Sequence, residues 1–201
     1  NVESMKYLDF QIDVREQTKP TFNIMTVNEI LELDNGGTIF NQTSLNTYDS
    51  DETINIGLGL RKLLNENKFI IGFNTFYDHQ FSENHKRLGL GAEAISSIFD
   101  LRGNYYNAMS GRKNVKKGGY IERALDGWDL RVDYNLPLKQ DVNLYVKAFE
   151  FKNPEKNSTY EQKGNTYGAD AKLGNFVLVG GYQDDNQANL TWALLLPFSK
   201  K

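Results

Sequence analysis

Residues 53–94 read TINIGLGLRKLLNENKFIIGFNTFYDHQFSENHKRLGLGAEA, and this stretch holds three segments of about ten residues in which apolar and polar side chains alternate. In the first, Ile54, Ile56, Leu58 and Leu60 share one face, opposite Thr53, Asn55, Gly57, Gly59 and Arg61. The second sets Phe69, Ile71, Phe73, Thr75 and Tyr77 against Ile70, Gly72, Asn74, Phe76 and Asp78. The third sets Leu88, Leu90, Ala92 and Ala94 against Arg87, Gly89, Gly91 and Glu93. A period of two is the pattern of a strand with unlike faces, and helical spacing fits none of the three.

Period alone does not say which face points inward. A soluble barrel with an apolar ligand site alternates too, with its apolar face inside. Strand count decides. A barrel of about eight strands fills its interior with side chains, and one of about twelve is too wide for that. The chain as a whole supplies about twelve candidates, an even number as in bacterial single-chain barrels. They lie at Met5–Val14, Thr21–Ile30, Thr38–Asn46, the three segments above, Phe99–Ala108, Gly127–Leu136, Val142–Phe151, Thr166–Leu173, Phe176–Tyr182 and Asn189–Phe198. The fold expected is all-β: an antiparallel up-and-down transmembrane barrel occupying residues 1–201 as one domain, its apolar face turned to lipid. Ile24-Met25 blurs the second strand, and the ninth, with Tyr145, Lys147, Phe149 and Phe151 opposite Leu144, Val146 and Ala148, has ambiguous faces.

Composition agrees with that fold. The hydrophobic fraction is 39% and the mean hydropathy −0.57, and no apolar run approaches the roughly 20 residues of a spanning helix. A barrel escapes the requirement because only alternate residues meet lipid. The net charge of −3, with both signs scattered, leaves no footprint for nucleic acid. Absence of cysteine excludes disulfides and thiolate chemistry. No signal peptide opens the chain, so Asn1 is expected to start a mature protein or an excised domain.

Connection lengths suggest an orientation. Long polar stretches at 79–85, 109–126 and 153–165 fall on odd-numbered connections, and Ser96-Ser97, Pro137–Asp141 and Gly174-Asn175 on even ones. Asp34-Asn35-Gly36-Gly37 is a tight-turn signal. Outer-membrane barrels keep long loops outside and short turns in the periplasm, so both termini are expected in the periplasm.

Five segments carry a resemblance: Asn55–Arg61 (NIGLGLR), Gly72–Asp78 (GFNTFYD), Arg87–Ala94 (RLGLGAEA), Asn104–Gly111 (NYYNAMSG) and Glu122–Arg131 (ERALDGWDLR). In order and spacing they resemble the translocator barrel of the intimin/invasin family, the inverse autotransporters, over roughly 53–136. Ala124-Leu125 departs from the Pro-Ala expected there. The resemblance implies a Gram-negative outer-membrane barrel inserted by the barrel assembly machinery, a linker helix threaded through the lumen, and an adhesin passenger outside. The chain stops at Lys201, just after the last strand, so it is expected to be either a barrel cut from a longer protein or a barrel alone.

These readings assign faces to residues. Arg61, Asp78, Arg87, Glu93, Asp100, Arg102, Asp129, Arg131 and Asp133 are expected to line the lumen, either gripping a threaded segment or simply pairing with one another across strands. Ile54, Ile56, Leu58, Leu60, Leu88, Leu90, Leu130 and Val132 are expected to face lipid. Tyr77, Tyr105, Trp128, Tyr134, Trp192 and Phe198 suit interfacial aromatic belts. Glycines 57, 59, 89, 91, 103 and 168 either make room in the lumen or ease curvature. His79 and His85 are expected to be solvated loop residues, and Ser110 and Ser158 to lack a His/Asp partner set. No catalytic residues, metal or cofactor are expected. The function expected is a translocating and anchoring scaffold for a C-terminal passenger; the alternatives are a free-standing narrow pore or surface-binding barrel, and a soluble barrel for an apolar ligand.

Overall fold

The computed structural model describes residues 5–15, 19–34, 36–48, 51–64, 68–114, 121–138, 141–184 and 187–197. Side chains are described within those ranges except at 5–7, 15, 48, 187–193 and 195–197. The strands are β1 (Met5–Arg15), β2 (Thr21–Glu32), β3 (Gly37–Tyr48), β4 (Asp51–Leu64), β5 (Phe69–Gln80), β6 (His85–Ser96), β7 (Phe99–Ala108), β8 (Lys113–Asn114), β9 (Ile121–Glu122), β10 (Asp126–Asn135), β11 (Asp141–Lys152), β12 (Glu161–Leu173), β13 (Phe176–Gln183) and β14 (Gln187–Pro197). Twelve of them close into an antiparallel barrel in which each pairs with its neighbours in the chain, while β8 and β9 make a separate two-stranded ribbon. Closure comes from β1 against β14, in register from Tyr7 opposite Pro197 to Arg15 opposite Asn189. A closed barrel leaves no edge strand, so every ladder position finds a partner.

The usual arrangement of side chains is inverted. Among the described residues, the buried hydrophobic ones are Val27, Phe40 and Tyr145, and the buried polar ones include Asp9, Asp78, Asp129 and Asp133. Large apolar side chains lie on the convex face: Phe73 is 62% exposed and Leu90 60%. No helix among the described residues is long and apolar enough to cross a membrane.

Strand ends differ from the sequence expectation at one end of the barrel. The loops expected at 47–52, 79–85 and 153–165 shrink to 49–50, 81–84 and 153–160, because the strands pair on through polar positions such as Asp51 opposite Tyr48 and His85 opposite Gln80. Ladder hydrogen bonds need no apolar face, so pairing outlasts the alternation that revealed the strands. The long connections 109–125 and 153–160 do share that end, while 33–36, 65–68, 97–98, 136–140 and 174–175 share the other. Gly36 and Gly174 take positive φ, at 76° and 64°, in two of these tight turns. The blur at Ile24-Met25 on β2 has a cause, since Ile24 is exposed on the convex face while Met25 lines the interior; further on, a register shift between Glu29 and Leu31 leaves Ile30 and Leu31 both exposed.

Candidate functional site

The candidate site is the barrel interior. Side chains from strands that are not ladder neighbours meet there, which only a concave face permits. One belt begins at Arg61 on β4, whose Nε donates to Glu93 Oε1 on β6 at 2.5 Å, across β5. Gly72 on β5 makes that reach possible, since a Cβ there would stand 2.5 Å from Glu93 Oε1. Glu93 Oε2 lies 3.9 Å from Arg102 Nε on β7. Arg102 donates to Asp100 at 2.9 Å and to Asp133 on β10 at 3.1 Å. Arg131 donates to Asp133 Oδ1 at 2.5 Å and to Asp170 Oδ2 on β12 at 3.0 Å, its guanidinium 4.0 Å from the Tyr145 ring centroid on β11.

A second belt runs nearer the long connections. Asn55 Nδ2 and Arg87 Nη2 donate to Asp78 at 2.5 and 2.9 Å. The Arg87 guanidinium sits 5.1 Å from the Tyr106 ring centroid. The Tyr106 hydroxyl and Asn104 donate to Asp129 at 2.8 and 2.9 Å, and Lys147 lies 3.4 Å from the same carboxylate. Every residue expected in the lumen thus belongs to one of the two belts. Alternation along the seventh strand already puts Asn104 and Tyr106 on its polar side beside Asp100 and Arg102; Tyr145 and Lys147 stood on the ambiguous ninth strand, and Asp170 was missed.

Across from the belts, β1–β3 present Gln11, Asn23, Gln42, Ser44 and Asn46 to a cavity of about 820 Å³ that Asp78, Arg87, Arg131 and Lys147 also line. Interior glycines serve neighbouring side chains: rings of Phe40, Phe76 and Tyr145 lie over Gly59, Gly89 and Gly168, and Asn74 and Asn104 crowd Gly91. Gly103 makes no room in the lumen, because it lies on the convex face against Leu130 Cδ1.

The convex face carries Ile56, Leu58, Leu60, Leu88, Leu90, Leu130 and Val132, all exposed, with Ile54 half-buried among them. Tyr105 and Trp128 are exposed and opposite each other, and Trp128 Nε1 donates to Glu150 at 3.0 Å. Tyr134 stacks on Phe99 with centroids 5.0 Å apart, toward the opposite end, and Tyr77 is half-buried beside Leu88. The side chain of Trp192 and all of Phe198 lie outside the described residues. Tyr167 and Tyr182, opposite each other and exposed, join the outward aromatics that the sequence did not single out.

At the end with long connections, a smaller cavity of about 350 Å³ lies under residues 121–125. Here two expectations fail. His85 is buried, and its Nδ1 lies 3.2 Å from Ser110 Oγ while its Nε2 lies 3.7 Å from Glu122 Oε2. Ser110 therefore does have His and carboxylate company, brought together by folding of the 109–125 connection. The set works as an anchor: Ser110 is 8% exposed and its Oγ accepts from the Lys86 backbone N–H at 3.1 Å, so the hydroxyl hydrogen is left for the imidazole. His79 packs on the convex face between Tyr77 and Phe81. No group of three metal-ligating side chains occurs among the described residues.

Glu155, from the 153–160 connection, pairs with Arg112 and with Arg123 Nη1 at 2.8 Å, tying the two long connections together. Hydrogen bonds from Arg112 and then Arg123 hold its carboxyl down to about 2. A depressed acid stabilises the closed arrangement above its ordinary value and loses that contribution only as pH falls through about 2. A spin label at Lys113 should therefore show unchanged mobility from pH 7 to pH 4 and released mobility near pH 2; release between pH 5 and 4 would mean that the clasp does not govern the loop.

Comparison with known proteins adds relatives. A family model for "Inverse autotransporter, beta-domain" matches residues 3–174. A putative attaching and effacing protein homolog of Escherichia coli (strain K12) is 37% identical over 100 residues, 49% of this chain and 34% of that protein. Intimin of Citrobacter freundii is 39% identical over 99 residues, 49% of this chain and 10% of its own length. Invasin of Yersinia enterocolitica is 34% identical over 114 residues, 56% of this chain and 13% of its own length. The matches thus span about a third or less of these relatives. Among solved structures, a chain described as "Unveiling the Mechanism Behind the in-meso Crystallization of Membrane Proteins" superposes with a TM-score of 0.81 at 22% identity, covering 97% of this chain and 85% of that one. The translocator domain of autotransporter NalP from Neisseria meningitidis gives 0.53 at 12% identity, covering 98% and 88%. At such identities the likeness concerns the fold.

Proposed function

Because the chain belongs to the inverse autotransporter β-domain family, we propose that its outer-membrane barrel conducts and then anchors a passenger segment that follows it in the chain. The observation that carries this reading is the two-sided interior. Paired charges line the β4–β12 wall, and the β1–β3 wall sets amides and hydroxyls beside Asp13, Met25 and Phe40, with the 820 Å³ cavity between them. A threaded backbone needs donors and acceptors that do not grip by charge, and Gln11, Asn23, Gln42 and Asn46 supply both. The belts fix the shape of the opposite wall, and self-pairing leaves their charges free of any demand on the segment.

In this reading Ile54, Ile56, Leu58, Leu60, Leu88, Leu90, Leu130 and Val132 face lipid, and the outward aromatics mark its two interfaces. The barrel assembly machinery inserts it, and both termini lie in the periplasm. The test of function is a chain extended past Lys201 by a flexible linker and an epitope, expressed with an export signal. Antibody should reach the epitope on intact cells. An epitope that stays periplasmic while the barrel is folded overturns the translocation reading, and steady conductance of the unextended barrel in planar bilayers would support a pore in its place.

Topology has its own test. Trypsin added to whole cells should cut near Lys113–Lys117 and spare Lys139 until the outer membrane is opened; residues 115–120 and 139–140 lie outside the described ones. Cleavage at Lys139 on intact cells would invert the orientation.

A further inference from the structure

Between its two ends, and among the described residues, the convex face is apolar except at Thr75 and in one cluster. On β2 and β3, Thr26 stands opposite Thr43 and Asn28 opposite Asn41, on the outward parity shared with Ile24 and Leu45. All four are half-buried, and none carries a charge. Their depth follows from β4. Glu52 and Lys62 point outward there and bracket Ile54, Ile56, Leu58 and Leu60. At about 3.4 Å per residue and a tilt of about 40°, these charges are about 25 Å apart along the barrel axis, the height of the hydrocarbon band. Asn41 pairs with Leu58 and Thr43 with Ile56. Ladder partners step down by about 3 Å per strand at that tilt, so the cluster spans roughly 4–12 Å above the lower charge, in the lower half of the hydrocarbon.

The amides are only partly satisfied by their own sheet. Asn41 Nδ2 donates to the Gly57 carbonyl at 3.0 Å, and Asn41 Oδ1 accepts from Thr43 Oγ1 at 3.3 Å and from Asn28 Nδ2 at 3.5 Å. Each amide nitrogen has a second hydrogen, and Asn28 Oδ1 accepts no bond from the described residues. Thr75 shows the contrast: a lone hydroxyl on the same face satisfies itself on the Gly89 carbonyl at 3.1 Å. Lipid chains offer an amide nothing.

We propose that the β2–β3 face is where two copies of this barrel associate within the membrane. A two-fold axis along the membrane normal sets each residue at the same depth as its own copy. Amide therefore meets amide, and an amide complements itself as donor and acceptor. Ile24 and Leu45 above the cluster, and Ile39 and Leu60 below it, supply the apolar shoulders of the contact. A different partner would need a matching polar group at that one depth. This inference rests on the placement in lipid proposed above.

The chain has no cysteine, so single cysteines report cleanly. Thr43→Cys and, on the opposite side of the barrel, Leu130→Cys are to be reconstituted in vesicles and oxidised with copper phenanthroline. Thr43→Cys should give at least tenfold more crosslinked dimer. Adding Asn28→Leu and Asn41→Leu to a Leu45→Cys reporter should abolish its crosslinking while the protein keeps the gel mobility of a folded barrel. Equal crosslinking at positions 43 and 130, or a Leu45→Cys dimer that survives loss of both amides, overturns the contact. Water-soluble maleimide separates the two ideas. If both cysteines are shielded and Thr43→Cys still fails to crosslink, only the contact falls; if both are labelled, the lipid placement falls with it.

Discussion

Leu130→Arg should destabilise the folded barrel in lipid vesicles by about 2–4 kcal/mol, the cost of a guanidinium near the bilayer midplane of a β-barrel. Leu130 points outward, and its ladder neighbours there are Gly103 on β7 and Ala148 on β11, neither of which can accept a hydrogen bond through its side chain. Leu58→Arg should cost less within the same range, because Asn41 lies directly opposite and offers a carbonyl oxygen. Reversible urea unfolding in thin-bilayer vesicles measures both, with Lys62→Arg as the interfacial control. If Leu130→Arg costs under about 0.5 kcal/mol, the convex face does not meet hydrocarbon.

The second large effect belongs to the interior. Asp133 is 2% exposed and is shared by Arg102 and Arg131. Asp133→Ala leaves two guanidiniums charged and facing each other, since arginine does not deprotonate. Breaking a fully buried pair costs about 3–5 kcal/mol. Both arginines retain solvent access, so roughly 2–3 kcal/mol is expected after screening. Asp133→Asn keeps the hydrogen-bond acceptor and should lose about half as much. A double-mutant cycle with Arg102→Met isolates the coupling, and an additive cycle would show that the belt is a chain of independent contacts. With three partners on its carboxylate, Asp129 is a stability site even if the assembly machinery tolerates its loss.

The barrel was legible wherever one face was uniformly apolar. Through the middle of β4, β6 and β10 the glycines and charges share one parity and the leucines the other, so phase and identity agree. Legibility failed where the interior itself carries rings. On β11, Tyr145, Phe149 and Phe151 point inward to cover Gly168, Gly164 and Gly127, so hydrophobicity does not mark the outside. It failed again on β2, where an inward Met25 follows an outward Ile24. The His85–Ser110–Glu122 grouping had no local signal at all. Its members come from the start of β6, the exit of β7 and a ribbon inside a long connection, and only the closure of that connection brings them within reach. The partners of each belt residue were equally hidden, because an ion pair that skips a strand depends on what the strand between leaves open, as Gly72 does between Arg61 and Glu93.

The two ion-pair belts have a mechanical consequence. They tie β4 through β12 with bonds that cross the hydrogen-bond ladder, so that arc resists changes of curvature. Along β1–β3 the inner wall meets the cavity with side chains that swing on single bonds. Among the described residues the belts brace only the arc from β4 to β12, so a load pressing outward from within is taken up as bending of the remaining arc, from β13 through β14 to β3. Cargo of varying girth would then change the cross-section from circular to oval along one fixed direction, and the direction is set by where the belts end.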